Sequence, residues 1–145
     1  MRSIIFTSLL ILCISCTSSK KALTASNKLN GTWVPIKQEF GGTLLPTAAF
    51  EKQNLIIADS VYTFTAESVD KGVVKYRDDK MDIYGKEGVN AGKHFTAIYK
   101  VEQTGSSKES ERLTICYNLT GDHYPETFET KGKRTYFLSV YKRSP

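Results

Sequence analysis

Gly31-Thr32-Trp33-Val34-Pro35-Ile36-Lys37-Gln38-Glu39-Phe40 reads as one long extended strand, halted by the glycine pair Gly41-Gly42. Downstream of it, apolar and polar residues keep alternating, and turn residues interrupt them at short intervals, the pattern of a half-buried β-strand repeated along a chain. The expected strands cover residues 55–58, 61–65, 69–77, 81–84, 95–101, 112–118 and 136–141. Asp59-Ser60 and Asp78-Asp79 are tight turns, residues 85–92 a glycine-rich loop, 105–110 a polar hairpin loop and 121–132 a longer irregular connection. Between Pro46 and Leu55, Thr47 is placed to cap a single helical turn that runs to Lys52, with Glu51 nearby. Connections this short favour sequential antiparallel neighbours. The expected fold is all-β: an antiparallel up-and-down barrel of about eight strands with one short helical turn. A barrel of that size has no free edges, and its interior is filled or holds one small ligand.

Upstream of this strand the chain changes character. Arg2 supplies a positive start, and residues 4–14 are apolar apart from Thr7 and Ser8. The run is shorter than the roughly 20 residues of a spanning helix and fits the core of a secretory signal. Ile14-Ser15-Cys16 resembles the end of a bacterial lipoprotein signal, although Cys13 stands where Leu is usual. The resemblance implies cleavage before Cys16 and lipidation of its thiol, with palmitate as one of the acyl chains. It places the protein in the bacterial cell envelope, anchored at the outer membrane or a periplasmic face. An ordinary secreted protein cut nearby is the other reading. Residues 16–28, rich in Ser, Thr, Lys and Asn, would form a flexible tether, and residues 29–145 the barrel domain.

Removing residues 1–15 leaves 130 of 145, enough for one core. No internal repeat or shift in composition divides it. If Cys13 leaves with the signal and Cys16 carries lipid, Cys116 has no partner within the chain, so no disulfide framework is expected. Cys116 lies in the strand-like Leu113-Thr114-Ile115-Cys116-Tyr117 and reads as packing, since a reactive thiol needs cations or a helix start beside it. Beyond the signal, 19 Lys and Arg face 15 Asp and Glu. Charges are interspersed except at the C-terminus, where Lys131, Lys133, Arg134, Lys142 and Arg143 meet no acid. That cluster is a solubilising strand edge or a surface for anionic lipid or polymer. Nucleic acid is not an expected partner of an envelope protein.

Gly31-Thr32-Trp33 is similar to the G-x-W signature of lipocalins, and further residues carry the likeness. Leu29-Asn30, Phe40-Gly41-Gly42 with Leu45-Pro46, Met81-Asp82-Ile83, Asn90-Ala91-Gly92-Lys93, Leu113 to Cys116, Pro125-Glu126-Thr127-Phe128 and the final Leu138 to Arg143 occur in order. Together they resemble a lipocalin-like domain family of unknown function, first described from planctomycete proteins. The resemblance implies a calycin-type barrel in which Trp33 plugs the closed end and a basic residue of the last strand, Lys142 or Arg143, stacks across it. Arg143 is the expected closure partner. Tyr124 stands where that family usually carries Arg before the late-loop Pro, so an anion-binding role for that Arg does not transfer. The resemblance implies a fold and no chemistry.

Chemistry-bearing patterns are sparse. A nucleophilic triad would have to use His94 or His123, and no nucleophile-elbow sequence surrounds any Ser; both read as exposed histidines at loop–strand boundaries. They lack paired zinc-ligand spacing. Asp78, Asp79 and Asp82 suggest calcium, but Lys80 and Ile83 occupy positions where the calcium loop needs a ligand and a glycine. Gly92-Lys93 fails as a phosphate loop, since Glu87 replaces the first glycine and His94 the Ser or Thr. No catalytic residue, metal or cofactor is therefore expected.

The barrel interior is where function is expected. Eight Tyr, seven Phe and one Trp are many for this length, and several alternate along strands. Phe64, Phe95, Tyr99, Ile115 and Tyr117 are the candidate lining of a pocket for a small hydrophobic or amphipathic ligand, held without catalysis. The alternative is a filled barrel acting as an interaction module against another envelope component. Apolar walls around more than about 300 Å³ would favour the first.

Overall fold

The computed structural model describes residues 28–145. The expected signal segment, Cys16 and all of the expected tether but Lys28 lie outside the described residues. Nine strands follow in chain order: β1 (Gly31–Phe40), β2 (Thr43–Leu44), β3 (Asn54–Ala58), β4 (Val61–Thr65), β5 (Val69–Arg77), β6 (Lys80–Glu87), β7 (His94–Gln103), β8 (Glu111–Asn118) and β9 (Tyr136–Arg143). Neighbours pair antiparallel from β3 to β9, β1 joins β3 to β9, and β2 adds a two-residue ladder beside β1. The result is a closed eight-stranded barrel with one extra strand.

Closure depends on β1 changing partner. Gly31, Thr32 and Trp33 face Ile57, Ile56 and Leu55 of β3, while Trp33 to Phe40 run along β9 from Arg143 to Phe137. A bulge between Pro35 and Lys37 lies within this second ladder. Pro35 has no N–H to give to a ladder, and the extra residue bends the strand so that both neighbours are reached.

The tight turns stand where the sequence places them. Asp59 and Asp78 both have φ of 54°, a left-handed conformation that Asp tolerates through its short polar side chain. Four readings need correction. The helical turn is a 3-10 turn at Thr47–Ala49, with Pro46 at its N-cap and no side-chain cap, so the Thr47 hydroxyl does not cap it. A second 3-10 turn, Lys108–Ser110, sits in the hairpin loop. β6 continues through Gly85 to Glu87, because residues 88–93 fold back on it: Gly85 N–H donates to the Lys93 carbonyl and Gly92 N–H to the Gly85 carbonyl. β2 was not legible in a two-residue stretch beside the glycine pair.

Two cores form. Inside the barrel, Trp33, Leu55, Ile57, Val74, Met81, Ile83, Leu113 and Ile115 pack with several aromatic rings. Outside it, residues 119–135 lie over β7, β8 and β9, and Phe128 packs against Ile98, Cys116, Tyr136 and Leu138. Asn118, fully buried, pins this loop: its amide donates to Asp122 Oδ1 (2.8 Å) and the His123 carbonyl (3.0 Å), and its oxygen accepts from Thr120 and Thr135.

Candidate functional site

The alternation of β-structure sends every second side chain inward. Phe64, Phe95, Ile115 and Tyr117 accordingly share a cavity of about 500 Å³ inside the barrel. Leu55, Ile57, Val74, Met81 and Ile83 complete its apolar wall, with Tyr62, Tyr76, Tyr141 and Phe137 adding rings. Asp70, Asn90, Lys93 and Leu119 also line it; these come from the start of β5 and the loops before β7 and β9, so they mark the end opposite Trp33. Tyr99 is not among the lining residues. It faces inward closer to the closed end, its ring edge-on to Tyr76 at 6.1 Å and its hydroxyl donating to the Asp78 carbonyl at 3.0 Å. The interior is therefore not filled.

Two inward positions contribute emptiness. Gly72 and Gly85 face each other across β5 and β6. A methyl on Gly72 would run into the Tyr62 ring and the Tyr84 carbonyl, and one on Gly85 into the Asn90 carbonyl. The absent side chains let Tyr62 lie across the wall and let residues 88–93 tuck against the mouth.

Electrostatically the cavity wall is neutral phenol and one buried carboxylate, Asp70, with the exposed Lys93 at the mouth. Burial raises Tyr62, with the Asp70 carboxylate adding to the shift. Burial likewise raises Tyr76, Tyr141 and, most of all, Tyr117. All four therefore stay protonated at neutral pH. The Tyr117 and Tyr141 hydroxyls meet at 3.4 Å, and the buried Tyr76 hydroxyl has no partner among the described residues.

At the other end Arg143 and Trp33 come together. Trp33 is fully buried, its Nε1 donates to the Leu29 carbonyl (2.8 Å), and Arg143 Cζ stands 4.1 Å from its ring centroid. The same guanidinium donates to Glu111 Oε2 (2.5 Å) and to the carbonyls of Asn30 (2.5 Å) and Lys28 (2.8 Å). Arg143 thus meets an acid and leaves the expected basic cluster.

The histidines lie elsewhere. His94 is on the outer surface, stacked on Tyr84 (centroids 4.6 Å apart) and hydrogen-bonded through Nε2 to Asp82 Oδ1 at 3.0 Å. Tyr124 donates to the other Asp82 oxygen at 2.6 Å. His94 is therefore engaged rather than simply exposed, which its loop-edge position in the sequence could not reveal. Desolvation pushes the Asp82 carboxyl up, but the hydrogen bonds from Tyr124 and His94 outweigh it and hold the group below its ordinary value. His123 bonds the Tyr136 hydroxyl at 3.0 Å. Cys116 also points outward, beneath the loop, and burial lifts its thiol to about 11. Among the described residues no group of three His, Cys, Asp or Glu stands close enough to hold a metal ion.

Sequence reasoning missed Asp70. The alternating pattern does send it inward, opposite Phe64, but nothing local says whether a cation follows it there. Compared with known proteins, the chain matches no family model, no curated protein and no solved structure.

Proposed function

We propose that this protein is a non-catalytic binding protein whose barrel holds one small, largely apolar ligand. The observation that carries the reading is the cavity of about 500 Å³, within the range that small-molecule sites occupy and walled mostly by aliphatic and aromatic side chains. Its polar groups are few and sit at defined places, as orientation of a ligand requires. The outward His94 and Cys116 stand on the far side of the wall from this space, which supports binding over catalysis. The lipocalin likeness of Gly31-Thr32-Trp33 with Arg143 fits the same reading, because that pair occupies one end and leaves the other open to entry.

The test is native mass spectrometry of the full chain alongside Ile83→Trp, which pushes an indole into the cavity. A reproducible extra mass on the wild type that is absent from Ile83→Trp supports the reading. Equal affinity of both proteins for an apolar fluorescent probe would refute it.

Lipid attachment at Cys16, and with it an envelope location, belongs to the same proposal. Two or more acyl chains provide stable anchoring where a single one does not, and a tethered barrel would stay beside the membrane from which apolar ligands come. Loss of radioactive palmitate on Cys16→Ala is the expected result; retained label would overturn it.

A further inference from the structure

Asp70 is the only charged side chain among the described residues that is buried, at 4 % exposure. It lines the cavity, and no lysine, arginine or histidine forms an ion pair with it among the described residues. Among the described residues its oxygens accept from Asn90 alone: Asn90 N–H to Oδ1 at 2.9 Å and Asn90 Nδ2 to Oδ2 at 3.3 Å. A carboxylate has about four acceptor positions, so roughly half remain unused. Burying such a charge without a counter-charge is costly.

Anchoring the loop before β7 does not account for that cost. An asparagine at position 70 could accept from the Asn90 backbone N–H equally well without a net charge. Among the described residues Lys93 is the one basic residue lining the cavity, and it is bonded instead to Asn90 Oδ1 at 3.2 Å. Asn90 thus stands between the lysine and the carboxylate. Gly88, at φ 86°, carries no side chain where a methyl would collide with Asp70 Oδ1.

The rest of the interior favours a positive guest. Phenols that burial keeps protonated bring no cation of their own, Tyr62, Phe64, Phe95 and Phe137 are among the lining residues, and the face of an aromatic ring attracts organic cations. An anionic guest would meet the buried Asp70 carboxylate, and the lining cation, Lys93, is an exposed residue at the mouth bonded to Asn90 Oδ1.

We propose that Asp70 is the docking group for the cationic head of the ligand. The cavity takes a small organic cation, a protonated amine on an apolar body, with the ammonium donating to the free Asp70 lone pairs and the body lying against the aromatic wall. This deepens the binding function proposed above and rests on it.

The experiment is calorimetric titration of the full chain with three probes of one shape: phenethylamine (protonated at pH 7), phenethyl alcohol and hydrocinnamate. The expected order on the wild type is amine first by on the order of tenfold over the alcohol, the scale of one charge-assisted hydrogen bond, with the carboxylate weakest. Asp70→Asn should remove the amine's advantage over the alcohol. If amine and alcohol bind the wild type alike, the inference fails while the cavity function stands. If no probe binds and an apolar fluorescent dye does not bind either, both fall. The wild-type ranking decides the question even if Asp70→Asn does not fold.

Discussion

Replacing Arg143 with Ala strikes the Trp33 end of the barrel, where one side chain holds several partners. The guanidinium lies 4.1 Å from the Trp33 ring centroid and bonds Glu111, Asn30 and Lys28, with side-chain exposures of 13 % for Arg143 and 23 % for Glu111. Loss of the cation over the ring removes about 0.5–2 kcal/mol. Loss of the guanidinium also leaves the Glu111 carboxylate unpaired in a partly dry site, where breaking a pair costs about 3–5 kcal/mol when burial is complete. Water reaches Glu111, 23 % exposed, so the expected combined loss is about 3–4 kcal/mol rather than the sum. For a domain of this size that is a fall of roughly 10–20 °C in melting temperature. Urea denaturation followed by Trp33 fluorescence measures it cleanly, because Trp33 is the sole tryptophan; the midpoint should drop with the slope unchanged. Arg143→Lys should recover part of the loss, since the charge stays while the fork that reaches three partners goes. A destabilisation under about 1 kcal/mol, against the range above, would refute the claim that this cluster closes the barrel.

Three other outcomes are expected. Gly85→Ala places a methyl against the Asn90 carbonyl, so the loop of residues 88–93 must lift, at about 1–3 kcal/mol; an unchanged urea midpoint would contradict the close approach. Cys116, buried with its thiol raised to about 11, should resist a disulfide reagent at pH 8 in the folded protein and react fully in denaturant. The Asp82 carboxyl lies below its ordinary value when folded, so its contribution to stability is present above the unfolded carboxylate pKa and fades as pH falls through the lower folded value. Tyr124→Phe should move the Asp82 carboxyl upward in a carbon-13 NMR titration, and an unmoved resonance would show that the Tyr124 bond does not govern it.

The strands were readable because strand formation leaves a local mark. The alternation Val61-Tyr62-Thr63-Phe64-Thr65 and the turns Asp59-Ser60 and Asp78-Asp79 each occupy a few neighbouring residues, and the structure keeps those bounds. The inward set followed from the same period: Phe64, Phe95, Ile115 and Tyr117 all reach the cavity. Tyr99 shares that period with Phe95, yet it falls outside the lining because depth along the barrel, unlike facing, has no local signal. His94 was misread for a similar reason. Its partner Asp82 lies 12 positions away, and Tyr124, which donates to the same carboxylate, lies 42 from Asp82; only the ladder between β6 and β7 and the return of the late loop bring the three together.

By itself the sequence determined an all-β chain of short antiparallel strands, the inward and outward faces of each, and a tryptophan-bearing first strand suited to closing an end. Those are consequences of backbone periodicity and turn chemistry, which act over a handful of bonds. Tertiary structure alone decided that β1 would bridge β3 and β9 around the bulge at Pro35, that a space of about 500 Å³ would stay open, and that Asp70 would be buried in its wall without a counter-charge. A cavity is the small difference between the space a closed barrel encloses and the volume of the side chains sent into it. Two glycines facing each other, Gly72 and Gly85, shift that difference, and no stretch of sequence holds both of its sides.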